Sequence, residues 1–359
     1  MAWGLLTCGL VLAKPEAKPE AKPPEVKPDD VSRIAAKDPA QLLARIQDAA
    51  SKQNYLGVFM YQQGESIQSS RMAHVVDAGG ERERVETLDG QPRVYLRHND
   101  DIQYLQPERK TVRQDRRRTE RFPGLVQGDP AQVLRYYNLK ALDRLSRVAD
   151  RQCRVVVLEP RDALRYGYRL CVDIGTGLLL KAQTLDSSRR IVEQVSFSSV
   201  RLGQDVDASR VDSSWDTHDW KVLEPAMKPV DMAAQGWRIA MPDGFKPVME
   251  VARQMGPAST GNAPAGAAGT PRTVSQMVLS DGLAAISVFI EPYDAGKHHH
   301  PPAGPIRRGA INIYGRRVAD YWLTALGEVP VATLERLANA VQYNAVAKAG
   351  AKPIAGTTR

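Results

Sequence analysis

Between Tyr55 and Gln114, apolar and polar residues alternate in short runs: YLGVFMYQQ, SIQSSRMAHVV, ERVETL, PRVYLRH, DIQYLQP and KTVRQ. Alternation of period two, bounded by Gly-Glu, Ala-Gly-Gly, Asp-Gly-Gln and Asn-Asp-Asp turn residues, predicts a long antiparallel meander. The pattern returns in RLSRVA, CRVVVLE, LRYGYRLCVD, LLLKAQTLD and IVEQVSFSSVRL. Two stretches follow a helical period instead. Asp38-Pro39 opens a run with Leu42, Leu43, Ile46, Ala49 and Ala50 on one face, and Asp129-Pro130 opens another with Val133, Leu134, Tyr136, Tyr137 and Leu142. About eleven strands make a sheet too large to stay flat. Curling it over the two helices predicts a mainly β, α+β architecture: a large unclosed antiparallel barrel covering helices.

From residue 204 to 229 the chain is polar and broken by Asp, Ser and Pro, the composition of a linker. Strands around Gly236–Ile239, Thr273–Leu279, Ala284–Ile290, Ala310–Tyr314 and Arg317–Leu326 then precede a helix with Leu334, Leu337, Ala338 and Val341 on one face. The expected organisation is a barrel domain over 38–203, a linker over 204–229 and a small α+β domain over 230–343. Residues 344–359 and the Gly/Ala/Pro stretch at 256–271 read as a tail and a mobile loop.

The N-terminus bears on location. MAWGLLTCGLVLA, residues 1–13, is too short to span a bilayer and ends in the small-residue spacing of a signal-peptidase site, so export is the first reading and a buried start the alternative. The Lys-Pro-Glu-Ala repeat over 14–37 reads as a solvated tether. Cys153 and Cys171 remain after Cys8. A hairpin centred on Asp162 sets them across from each other, which allows either a cross-strand disulfide or two reduced, small apolar side chains.

A chain of 359 residues, 43% hydrophobic and 25% charged, can bury one large core or two smaller ones. Its formal charge of +8 favours contact with anionic matter. The densest charge lies at Glu108–Gly124, where Arg113, Arg116, Arg117, Arg118 and Arg121 either grip phosphates or form a solvated hairpin loop. Nucleic acid is not the expected partner, because only Phe122 is near enough to interleave with these arginines. Elbow, zincin, Cys-x-x-Cys and Walker motifs are all missing, so no catalytic residue, metal or cofactor is assigned. His298-His299-His300 are consecutive and cannot all face one ion; His74 and His98 read as structural.

The blocks Tyr55–Val112, Arg147–Phe197, SDGLAAISVFIEP and GAINIYGRRVADYWLTALGEVPVATLERLANAV resemble the MucB/RseB family. The resemblance runs from about Pro39 to Val341 and implies a barrel like that of outer-membrane lipoprotein carriers, followed by a smaller partner-binding domain. It further implies a periplasmic negative regulator of sigma-E signalling that binds the periplasmic segment of a membrane anti-sigma factor. Family members shield that segment from proteolysis and release it when lipopolysaccharide-type lipid binds. A periplasmic lipid or lipoprotein carrier of the same architecture is the alternative, and homo-oligomerisation stays open.

Alternation suggests where a lipid would sit. Tyr166, Tyr168, Leu170 and Val172 share one strand face, as do Leu178, Leu180 and Ala182, and Ile191, Val195 and Phe197; Phe59 and Tyr61 share a face of an earlier strand. Phe59, Tyr61, Tyr166, Tyr168, Leu170, Leu180, Val195 and Phe197 are therefore candidates for an acyl-chain pocket, with the arginines at its rim. Most of this apolar surface must pack the helices, and only the remainder is free for a ligand.

Overall fold

A computed structural model of the chain describes residues 33, 37–115, 122–203, 206–223, 227–255, 272–298 and 305–345. The expected signal segment, most of the expected tether, residues 256–271 and nearly all of 344–359 lie outside the described residues, as do Arg116, Arg117, Arg118 and Arg121. The large sheet contains β1 (Tyr55–Gln63), β2 (Ser66–Asp77), β3 (Gly80–Thr87), β4 (Val94–His98), β5 (Asp101–Gln106) and β6 (Thr111–Asp115). It continues through β7 (Tyr137–Val148), β8 (Arg151–Pro160), β9 (Gly167–Asp173), β10 (Leu179–Leu185), β11 (Ile191–Leu202) and β12 (Lys221–Leu223). Its order is β12-β6-β5-β4-β3-β2-β1-β11-β10-β9-β8-β7, so two meanders join where β1 pairs with β11 and the outer strands stay unpaired with each other. The sheet is large and unclosed.

Helix α1 (Pro39–Lys52) forms as its sequence dictates. The Asp38 carboxylate accepts from the N–H groups of Ala40 and Gln41, and Leu42, Leu43, Ile46, Ala49 and Ala50 are all buried. Helix α2 (Pro130–Tyr136) has the same Asp-Pro start, with Asp129 accepting from the Ala131 N–H. It is shorter than its apolar spacing suggests, because Tyr137 already begins β7 and Leu142 is exposed on that strand. The inner residues of both helices pack on Tyr137, Val156, Leu158, Tyr168, Leu170, Val172 and Leu179. They fill the β7–β10 half of the curved sheet; among the described residues no α-helix packs on the β2–β6 half, where the short 3-10 turn Ala208–Val211 meets β2 and β3.

The smaller sheet comprises β13 (Met227–Pro229), β15 (Lys246–Met255), β16 (Arg272–Ser280), β17 (Ala285–Pro292), β18 (Ile306–Arg308), β19 (Ile311–Val318) and β20 (Tyr321–Gly327), in the order β13-β15-β16-β17-β20-β19-β18. A two-stranded pair, β14 (Trp237–Arg238) with β21 (Gln342–Tyr343), closes the far end. Helix α3 (Val331–Ala340) packs Leu334, Leu337 and Ala338 on this sheet, in one cluster with Leu279, Ile286, Val288 and Leu323.

The turn between β16 and β17 joins the two sheets. Leu283 from this turn is part of the apolar cluster under α1 and α2, and the Gly282 carbonyl accepts from the N–H groups of Gln127 and Gly128. The backbones meet so closely that a Cβ on Gly128 would lie 2.6 Å from Gly282 Cα, which makes Gly128 a steric requirement. Residues 206–223 leave β11 and lie on the large sheet. Val206 and Val211 pack against Ala73 and Val75, Trp220 packs against Val94, Leu105 and Val112, and β12 pairs in parallel with β6.

Candidate functional site

A cavity of about 760 Å³ runs along the large sheet, lined from β1–β6 and also by Tyr168, Ala182, Thr184 and Val195 of β9, β10 and β11. Phe59 and Tyr61 of β1, Gln68 and Ser70 of β2, and Val85 and Thr87 of β3 line its sheet wall. Phe122 and Leu125, ahead of α2, form the opposite wall. The Phe122 ring sits 5.5 Å from the Phe59 ring and 4.9 Å from that of Phe197, which closes this wall against the core. Gly57 matters here, because a Cβ there would meet the Phe197 ring at 2.9 Å and the Ser199 carbonyl oxygen at 2.5 Å.

Charge is distributed unevenly around this space. Arg93 and Arg113 lie on the β4–β6 side, with the Arg113 guanidinium 4.5 Å above the Tyr104 ring. Glu193 and Glu328 lie on the β11 side, next to the smaller sheet. Burial pushes the Glu193 carboxyl up, and the Glu328 charge adds to this. Hydrogen bonds from Tyr61, Gln63 and the Ala310 backbone offset only part of the rise. Glu193 Oε2 is buried without a hydrogen-bond partner among the described residues. Arg93, beside β4, stands four strand spacings from Glu193 on β11, about 19 Å along the sheet, and Arg113 on β6 stands two spacings further.

Of the eight residues expected in an acyl pocket, Phe59, Tyr61, Tyr168 and Val195 line this cavity. The structure places the other four elsewhere. Leu170 is buried under α1 and α2, and Phe197 packs behind Phe59 and Phe122. The Tyr166 hydroxyl accepts from Asn312 Nδ2 at 2.9 Å, between the two sheets. Leu180 is displaced by a register shift between Leu179 and Lys181, which sends Leu178 and Leu180 into a cluster with Cys153 and Cys171 and leaves Leu179 and Ala182 facing Leu170. Arg113 is the one member of the arginine run that is described. Cys153 and Cys171 form a disulfide with Cα atoms 5.4 Å apart. They are diagonal rather than directly opposed, since Cys153 pairs with Asp173 and Val155 with Cys171.

Pattern reading does not reach Arg93, Leu223, Glu328 or Phe122. For Glu193 a signal was present: period two sets its carboxylate on the same face as Val195 and Phe197, where burial is costly. His74 and His298 have structural settings, and His299 and His300 lie outside the described residues. His74 is fully buried, with Nδ1 2.7 Å from the Gln53 carbonyl and Nε2 2.9 Å from Glu81, and His298 stacks on Trp322. Among the described residues no three His, Cys, Asp or Glu side chains converge as a metal site.

Sequence models of the MucB/RseB N-terminal and C-terminal domains match residues 38–215 and 231–342. The chain belongs to the MucB/RseB family. Similar proteins include the sigma factor AlgU regulatory protein MucB of Pseudomonas aeruginosa, 28% identical over 89% of this chain and 95% of the relative. The sigma-E factor regulatory protein RseB of Escherichia coli K12 is 25% identical over 88% of this chain and 94% of its own length. Among solved structures, MucB in complex with MucA(peri) superposes with a TM-score of 0.62 at 26% identity, covering 86% of this chain and all of that one. The Pseudomonas aeruginosa MucA/MucB complex gives 0.65 over the same share. The cavity of this MucB/RseB chain lies within the part matched by the N-terminal domain, except for Leu223 and Glu328.

Proposed function

We propose that this chain is a periplasmic negative regulator of sigma-E signalling. It binds the periplasmic part of a membrane anti-sigma factor, shields that segment from proteolysis, and lets it go when a lipid of the lipopolysaccharide type enters the cavity. The observation that carries this reading is the match of both domains, in order, to a family whose member MucB forms a complex with MucA(peri). In this reading the chain works by binding and has no catalytic step, and its domains follow the division at 38–203, 204–229 and 230–343.

The cavity supplies the lipid half of the proposal. Phe59, Val85, Phe122, Leu125 and Val195 offer apolar surface, and each buried methylene contributes about 0.8 kcal/mol. Arg93 and Arg113 supply donors for a phosphate, and Arg116, Arg117, Arg118 and Arg121 follow Arg113 in sequence. For lipid to act as a signal it must bind better to the partner-free form, so lipid and partner oppose each other by equal factors. The test titrates the purified chain with the periplasmic segment of its anti-sigma partner, with and without a lipid A mimic, and follows protease cleavage of that segment. Loss of partner affinity and faster cleavage at saturating lipid are expected. Unchanged affinity removes the lipid-release half of the reading, and no affinity without lipid removes the regulator itself.

A further inference from the structure

The sheets meet at several points, among them the Asn312–Tyr166 and Thr333–Leu164 hydrogen bonds, and two of their connections differ greatly in strength. At the β16–β17 turn, Arg165 pairs with Asp281 at 2.8 Å with both side chains fully buried, the Tyr137 hydroxyl lies 3.1 Å from the same carboxylate, and Leu283 is part of the core. At the other place the chain itself crosses over, through β12. This strand has three residues, all of them exposed, and pairs in parallel with Thr111–Arg113 of β6. Val222 is 52% and Leu223 39% exposed. Parallel pairing of a three-residue edge strand is among the weakest kinds of sheet contact.

The segment leading into β12 is held unequally along its length. Its first part is anchored: Val206 and Val211 pack on Ala73 and Val75, and Arg84 donates to the Asp212 carbonyl and to Ser214 Oγ. Its last part depends on Trp220, on the Lys221 N–H bond to the Lys110 carbonyl, and on the β6 ladder. Leu223, the last residue of β12, lines the cavity beside its register partner Arg113. Four residues later, at Met227, β13 of the smaller sheet begins.

We propose that β12 is a movable wall of the cavity. An amphiphile whose chain reaches Leu223 and whose phosphate engages Arg113 separates β12 from β6, and this loosens the crossover while the β16–β17 joint stays closed. The inference rests on the cavity being a lipid site, and adds that the ligand acts through the covalent crossover. Thr111, Arg113 and Leu223 would share the work, because any displacement of Arg113 toward a phosphate strains the ladder it forms with Leu223.

The experiment uses the full chain and dodecyl phosphate below its micelle concentration. Binding is measured by calorimetry, and amide hydrogen exchange is followed over 217–223 and, as a reference, over 280–284. A second variant, Thr111→Cys with Lys221→Cys, joins register partners and can be locked by oxidation. At saturation, exchange over 220–223 is expected to rise at least tenfold in the wild type and in the reduced variant, with 280–284 unchanged. The oxidised variant should bind more weakly and show no rise. Measured binding with unchanged exchange over 220–223 overturns the movable wall and leaves the cavity reading intact. A rise shared equally by 280–284 also overturns it, since the joint would then be opening. Absence of binding overturns both.

Discussion

Arg165 and Asp281 meet at 2.8 Å with neither side chain exposed, one from the β8–β9 connection of the large sheet and one from the β16–β17 turn of the small one. The guanidinium also bonds Asp162 at 3.0 Å, and its carbon lies 4.6 Å from the Tyr136 ring centroid and 5.1 Å from that of Phe245. Two charges taken out of water persist only because each is fully bonded. Their pairing fixes which turn enters the large core and at what angle.

Removing one partner leaves the other buried and uncompensated. Arg165→Leu or Asp281→Leu alone should each cost about 3 kcal/mol, while the double substitution should cost clearly less than the sum. Chemical denaturation of the four proteins of this cycle checks it. Additive losses would mean that the pair is not coupled. Splitting of one unfolding transition into two in the single variants would identify the pair as the link that makes the two sheets unfold together.

A second ion network joins His74 of β2, Glu81 and Glu83 of β3, and Arg97 of β4. Burial raises the Glu81 carboxyl, but hydrogen bonds from His74 and Arg97 outweigh it and bring the value down to about 2. A carboxylate depressed below its ordinary value of about 4.5 stabilises the fold at pH above that value, and the contribution is lost as pH falls toward 2. Glu81→Gln should therefore destabilise by about 2 kcal/mol at pH 7 and by much less near pH 2.5. Thermal unfolding of both proteins across this range measures the difference, and a gap independent of pH would contradict it.

Most strands of the large sheet were legible because each is a short alternating run between turn residues; β12, inside the expected linker, and the start of β7, read as helix, were not. Tyr55–Gln63 and Ile191–Leu202 match their apolar runs residue for residue. Strand β15 was not legible: Pro247 and a register shift between Pro247 and Met249 break its alternation, and Val248 is 64% exposed. The assignment of Leu180 failed to reach the cavity for a similar reason, since one extra residue in β10 exchanges its two faces. The attachment of 206–223 was hidden because its buried apolar contacts come from three scattered residues, Val206, Val211 and Trp220, in a polar segment. Phe59, Tyr61, Tyr168 and Val195 of the cavity were readable from alternation, whereas Phe122, Leu223 and Glu328 converge there only through tertiary folding.

Glu193 gives a prediction of opposite sign. Burial and the nearby Glu328 charge raise its carboxyl above the ordinary value, so the folded state holds the proton more tightly than the unfolded chain. That contribution is present at low pH and is lost as pH rises through the raised value. Glu193→Gln keeps the shape and removes the charge, so it should raise the melting temperature at pH 7.5 and change it little at pH 4. A loss of stability at pH 7.5 would mean that the hydrogen bonds from Tyr61 and Gln63 outweigh the repulsion.

The last prediction separates the two ends of the cavity. Arg93 and Arg113 are on the side away from Glu193, and a phosphate held there gains charge-assisted hydrogen bonds of about 1.5 kcal/mol or more each. Arg93→Ser and Arg113→Ser should each weaken dodecyl phosphate at least ~tenfold and leave dodecanol nearly unaffected. Glu193→Gln should do the reverse of weakening, because it removes a carboxylate from the wall that an anionic ligand faces. If both arginine variants lose dodecanol as much as dodecyl phosphate, they act by shaping the cavity and not by charge. If neither ligand responds to any of the three, the anionic group lies outside this space. The tyrosine under Arg113 offers a control: Tyr104→Leu removes the 4.5 Å ring contact, and should cost less than Arg113→Ser because it frees the guanidinium without removing it.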